Sequence, residues 1–169
     1  MIEIFTENLL LVPCSLDIAK SLVFHRKELE KRSPITIPQN WPSPLITGIL
    51  PFYIEKLEKD ESHYGWGLWL IINYADKRII GDIYLQGKPD KKGNVQLTYT
   101  MNRDYQKTSL TYEAVDALID WLVTQSDAKK VLMECSDSNY QSIRLFEKLG
   151  MRCTKKDGRF LTWELRKVI

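Results

Sequence analysis

The chain has 169 residues, 44% of them hydrophobic and 27% charged, with 24 basic residues against 22 acidic for a net charge of +2. That length and balance fit one soluble globular domain over residues 1–169, large enough to bury a substantial core. The basic pairs Lys91-Lys92, Lys129-Lys130 and Lys155-Lys156 are short and scattered, so no nucleic-acid-binding stripe forms, and no apolar run approaches a membrane span.

In chain order, Glu3–Val12 has strand character, and Ser15 offers an N-cap for a helix running to about Lys31. Leu16, Ala19, Leu22, Val23 and Leu29 give that helix an apolar stripe. Ser33–Pro51 holds five prolines, too many for one regular element. Within it, Ser43-Pro44 reads as N-cap and first helical residue of a second helix toward Lys59, which Pro51 should kink or divide.

Trp66–Tyr74 and Arg78–Gln86 flank a tight turn at Ala75–Lys77, the pattern of an antiparallel hairpin. After the polar turn Gly87–Gly93, Val95–Met101 alternates apolar and polar residues. Glu113–Gln125 is a helix with Ala114, Leu118, Trp121 and Leu122 on one face. Val131–Cys135 is a short apolar strand. Asn139 caps a helix to Leu149, with Gly150 suited to the position just past its end. Phe160–Leu165 is a last alternating strand.

Cys14, Cys135 and Cys153 are an odd number without C-x-x-C spacing, which argues against a disulfide framework or structural zinc and suits the reducing cytoplasm. The N-terminal segment carries Glu3 and Glu7 and no basic residue, unlike a signal peptide. There is no G-x-G-x-x-G after a strand, no G-K-[ST] and no G-x-S-x-G. His25 and His63 are too few and too distant to suggest a metal.

Between Met101 and Ala114 the chain passes from strand through a short loop into a helix, a junction where backbone N–H groups can hold phosphate. Such loops usually carry glycine so that ligand oxygens can approach bare backbone. Here Ser109 and Thr111 stand in those places. The two readings left open are an anion site and a helix cap formed by Ser109 or Thr111.

Two segments carry a family pattern. Asn139-Tyr-Gln-Ser142-Ile-Arg-Leu-Phe-Glu-Lys-Leu-Gly150-Met resembles the N-x-x-S-I-R-h-h-E-K-L-G-F/M run of GNAT-family N-acetyltransferases. Tyr105–Ala114 aligns with that family's Y-R/Q-G/N-K-G-Y/I-A/G-T/S-E-A segment, and Ile80–Ile83 with Gly87–Gly93 is similar to its ribosomal-protein N-terminal acetyltransferase branch. The resemblance implies an α/β (α+β) GNAT fold: a mixed, mostly antiparallel central sheet with a splayed strand pair, and helices on both faces. It implies acetyl transfer from acetyl-CoA to a primary amine, a protein N-terminus or a small molecule, by direct attack in a ternary complex. It allows a homodimer. A catalytically degenerate binding module of the same fold is the alternative.

The resemblance further implies a pyrophosphate motif Q/R-x-x-G-x-G/A. Gln106 fills its first position, while Ser109 and Thr111 replace its glycines. Met101, Gln106, Lys107, Thr108, Ser109, Leu110 and Thr111 are the implied acetyl-CoA contacts, with a backbone N–H near Met101 polarising the carbonyl. Asn139 would contact the pantetheine or the amine, besides capping its helix. Ser142 matches the serine that serves as acid toward the leaving sulfur, against the plainer reading of a buried hydroxyl. Phe146 stands where many relatives have Tyr, and would pack against the ligand.

Gln96 cannot titrate near neutrality, and Glu134 and Asp82, alternative bases, read as solvated carboxylates. Lys107 and Arg103 are surface charges that could meet phosphate. Trp41, Trp66, Trp69 and Tyr53 read as core. The proline-rich segment is the better candidate for acceptor specificity.

Overall fold

The computed structural model describes residues 2–106, 109–124 and 127–166. Strands β1 (Ile4–Phe5), β2 (Leu9–Pro13), β3 (Leu68–Asn73), β4 (Arg78–Leu85), β5 (Asn94–Met101), β6 (Lys130–Ser136), β7 (Arg152–Asp157) and β8 (Phe160–Arg166) form one sheet in the order β1-β2-β3-β4-β5-β6-β8-β7. Among these strands β5 and β6 run parallel and the other neighbours antiparallel. Helices α1 (Leu16–Phe24), α2 (Arg26–Arg32) and α3 (Pro44–Lys59) share one core with one face of the sheet. Helices α4 (Leu110–Thr124) and α5 (Tyr140–Lys148) share another with the opposite face.

Strand alternation explains the two cores. On β3, Trp69 and Ile71 join the α4–α5 side, whereas Leu68, Leu70 and Ile72 join the α1–α3 side. A strand covered on both faces reads as an unbroken apolar run, as Leu-Trp-Leu-Ile-Ile does.

Several boundaries differ from expectation for physical reasons. The first strand is split by a turn whose Thr6 hydroxyl and Asn8 amides donate to the Glu113 carboxylate at 2.5–3.0 Å. Burial pushes that carboxyl up, but these bonds outweigh it and leave it below its usual range. The helix after Ser15 breaks at His25. Its continuation, α2, is redirected by Arg26, whose guanidinium donates to the carbonyls of Pro38 and Trp41 and to Glu30.

Pro51 does not divide α3, because Ile46, Leu50, Tyr53, Ile54 and Leu57 bury one face of the whole helix. Helix α4 starts at Leu110, earlier than Glu113. Strand β7 was not anticipated: Arg-Cys-Thr-Lys-Lys-Asp is exposed throughout and has no apolar face to announce it.

Candidate functional site

Strands β5 and β6 pair only from Asn94–Gln96 to Lys130–Leu132. Beyond that they separate, while β5 stays bonded to β4 up to Met101 and β6 to β8 up to Ser136. On the β4 side, Gln86 N–H donates to Gln96 O at 2.9 Å and Asn102 N–H to Ile80 O at 2.7 Å. Antiparallel alternation therefore turns the main chain of Tyr99 and Met101, and the Leu97 carbonyl, toward the gap, where no strand meets them. The carbonyl of Met101 accepts from Gln106 Nε2 at 3.0 Å.

The gap is the floor of a cavity of about 660 Å³. Leu97–Met101 of β5 form one wall and Met133 and Glu134 of β6 the other. Gln106, Ser109, Thr111 and Tyr112 close one end, around the start of α4. From α5 come Asn139, Gln141, Ser142, Arg144, Leu145 and Lys148, and Ser43 reaches in from the α3 N-cap. Helical spacing sets Arg144 four residues from Lys148, so both basic groups project on one side. Lys148 Nζ lies 4.2 Å from the Tyr112 ring centre.

Most predicted residues converge here. Met101, Gln106, Ser109, Thr111, Asn139 and Ser142 all line the cavity. Asn139 does cap α5, its Oδ1 accepting from Ser142 N–H at 3.1 Å. Ser142 is 7% exposed, and its Oγ shares a hydrogen bond of 2.9 Å with Tyr99 O–H. Burial holds the Tyr99 phenol above its ordinary range, although the bond to Ser142 works the other way.

Thr111 is 9% exposed, and its Oγ1 is buried without a hydrogen-bond partner. An orphaned hydroxyl in the first turn of a helix, on a residue that lines a cavity with two basic side chains, is a donor suited to an anion. The residues thus fit a pyrophosphate. Lys107 and Thr108 lie outside the described residues.

The remaining named residues lie away from the cavity lining. Phe146 does not line the cavity; it is 1% exposed and packs against Trp163 at 5.7 Å between ring centres. Leu110 is packed against the core. Arg103 is exposed and does not line the cavity, and Trp41, Trp69 and Tyr53 are core.

Asp82 is not a solvated carboxylate: it is 0% exposed, bonded to Trp41 Nε1 and Thr100 Oγ1, and pushed up to about 6 by burial despite those two bonds. Its neighbour Gly81 is fixed by crowding, since a β-carbon there would stand 2.4 Å from the Thr100 carbonyl oxygen. Sequence reasoning missed Tyr99, Thr100, Arg144 and Lys148. The i, i+4 spacing of the last two was the available signal.

Comparison with known proteins agrees with this architecture. The acetyltransferase (GNAT) domain family matches residues 9–152. An uncharacterised N-acetyltransferase of Bacillus subtilis (strain 168), YjdG, is 24% identical over 123 residues, 73% of each chain. The ribosomal-protein-S5-alanine acetyltransferase of Vibrio fischeri superposes with a TM-score of 0.67 at 16% identity, over 99% of this chain and 97% of that one. RimL, a ribosomal L7/L12 alpha-N-protein acetyltransferase solved with coenzyme A, gives 0.67 at 13% identity over 98% of each chain. A sheet that opens along the parallel pair β5–β6, matched by a family pattern spanning most of its length, makes this chain a member of the GNAT family of acetyltransferases.

Proposed function

We propose that the protein moves an acetyl group from acetyl-CoA to a primary amine, on a protein N-terminus or a small molecule, by direct attack within a ternary complex. The observation that carries this reading is the parting of β5 from β6 beneath a cavity that meets the start of α4. The Leu97 carbonyl and the main chain of Tyr99 suit an extended amide-containing arm, which would bond there as an added strand does. Thr111 Oγ1 and the N–H groups of the first α4 turn suit the pyrophosphate, with Arg144 and Lys148 supplying positive charge.

Transfer needs a donor at the carbonyl oxygen and an acid for the leaving thiolate. The N–H of Met101 faces the gap and is the donor. Ser142 Oγ is the acid, and Tyr99 O–H at 2.9 Å can replace the proton it gives up. Asn139, exposed at the cavity, both caps α5 and meets the pantetheine or the amine. The similarity to ribosomal-protein acetyltransferases supports a protein N-terminus as acceptor, and the proline-rich Ser33–Pro51 segment, which brings Ser43 to the cavity, supplies the specificity.

Isothermal titration with acetyl-CoA and with CoA tests the reading. Saturable heat is expected for both, and its absence at millimolar ligand would sink the proposal. Ser142→Ala should then lower turnover by about a hundredfold with acetyl-CoA affinity kept. Unchanged turnover removes Ser142 from the mechanism.

A further inference from the structure

Asp82 stands in the middle of β4, between Leu70 of β3 and Thr100 of β5. One carboxyl oxygen, Oδ2, accepts from Trp41 Nε1–H at 2.9 Å and from Thr100 Oγ1–H at 2.8 Å. The other, Oδ1, is buried and has no partner. Among the described residues no cation pairs with this group. Strand alternation sets Tyr84 on the same face, and the core there includes Tyr53 and Cys14. All three are pushed up by burial and neutral near pH 7. Arg26 bonds the Trp41 carbonyl, and its charge is matched by Glu30.

A buried carboxyl with one bare oxygen is costly, and an amide oxygen would serve the Trp41 indole and the Thr100 hydroxyl without a charge. Among the described residues its link to the cavity is Thr100, which donates to Asp82 and lines the cavity wall. Trp41 fixes the carboxyl from the other side. Together they form a polar wire from a dry interior to the place where an acceptor would sit.

We propose that Asp82 is a positioning residue for the acceptor, attracting its ammonium group to Thr100 and taking up its proton through the Thr100 hydroxyl. This rests on the acetyl-transfer reading above. The ammonium N–H proton passes to Thr100 Oγ1 as the hydroxyl's own proton moves to Asp82 Oδ2, leaving a neutral amine and a neutral carboxylic acid. The amine lone pair forms the N–C bond to the acetyl carbon while the C–S bond breaks, its electrons staying on sulfur. The nitrogen's surplus proton reaches that sulfur by way of Ser142. Asp82 returns its proton through Thr100 to water after the product leaves, so ammonium and thioester give amide, thiol and one released proton.

The test follows the indole N–H resonance of Trp41 in the full-length protein, with ethylammonium as probe and ethanol as its uncharged control. The resonance should titrate through about pH 6 and shift saturably with ethylammonium but not with ethanol. Asp82→Asn and Thr100→Val should abolish the probe response, and Thr100→Ser should restore most of what Thr100→Val removes. Thiol release with ethylamine should fall about a hundredfold in Asp82→Asn and Thr100→Val while acetyl-CoA binding heat is unchanged.

A flat indole titration, a probe response that survives Asp82→Asn, or equal turnover in Asp82→Asn and the parent protein overturns the proposal. Absent acetyl-CoA heat in the parent protein, with the indole still responding to the probe, fails the acetyl-transfer reading instead.

Discussion

The two edges of β6 have opposite fates. Against β8 it is paired at every position from Lys130 to Ser136, and against β5 only at its first three. The paired edge is sealed by aromatic packing of Phe146 on Trp163. The other edge is floored by unpaired main chain and lined by hydroxyls, amides and basic side chains. One strand thus serves as the last beam of a rigid wall and as the lip of an opening. Stability should depend on the first edge and ligand binding on the second.

The largest effect expected from breaking that contrast is on the sealed side. Phe146→Ala should cost about 3–5 kcal/mol in urea unfolding, as buried aromatic truncations do, while the folded protein keeps its acetyl-CoA affinity. A large loss of affinity in the folded variant would mean that the two edges are not independent.

Asp82→Asn should act in the other direction. The native carboxyl holds its proton to about pH 6 against 3.8 for an ordinary aspartate, so the native state binds more protons between those values. Stability from this group is therefore present at low pH and lost as pH rises through that window. Asparagine has no such loss. Unfolding near pH 4 should hardly distinguish the proteins, whereas near pH 7 the variant should be more stable by up to about 3 kcal/mol.

Thr111→Val should give a crossover at the open edge. Removing an orphaned hydroxyl should raise the free protein's stability by about 1 kcal/mol, while calorimetry should find acetyl-CoA bound roughly tenfold more weakly. Binding at parental strength would leave Thr111 a merely awkward core residue. Smallest is Tyr99→Phe, which removes the 2.9 Å bond to Ser142 and should cost about 1 kcal/mol of stability. Its turnover should fall less than that of Ser142→Ala, since Tyr99 only resupplies the proton.

What the chain disclosed in advance was local. Asn139, the apolar positions of α5 and Gly150 lie within one helix, and cap, stripe and stop signal are all short-range. The alternating strands were visible for the same reason. What stayed hidden depends on residues far apart in the chain. Asp82 looks like a solvated carboxylate until Trp41, 41 positions away, covers it. Tyr99 looks like ordinary strand filling until Ser142, 43 positions away, meets its hydroxyl. A motif locates Phe146 along its helix, whereas only packing decides that its ring meets Trp163. Strand β7 escaped because an edge strand needs no apolar face.

That outer strand carries a consequence for the protein in concentrated solution. An unpaired strand edge can template growth by a second chain, adding sheet to sheet without limit. On β7 the positions that would meet such a partner include Arg152, Lys155 and Lys156, and the ladder is bent by an irregularity between Cys153 and Lys155. Two like copies approaching edge to edge would each bring three cations against one carboxylate, Asp157, a net repulsion at neutral pH. The repulsion weakens as added salt shortens its range, so light scattering should reveal any self-association through this edge only at high ionic strength.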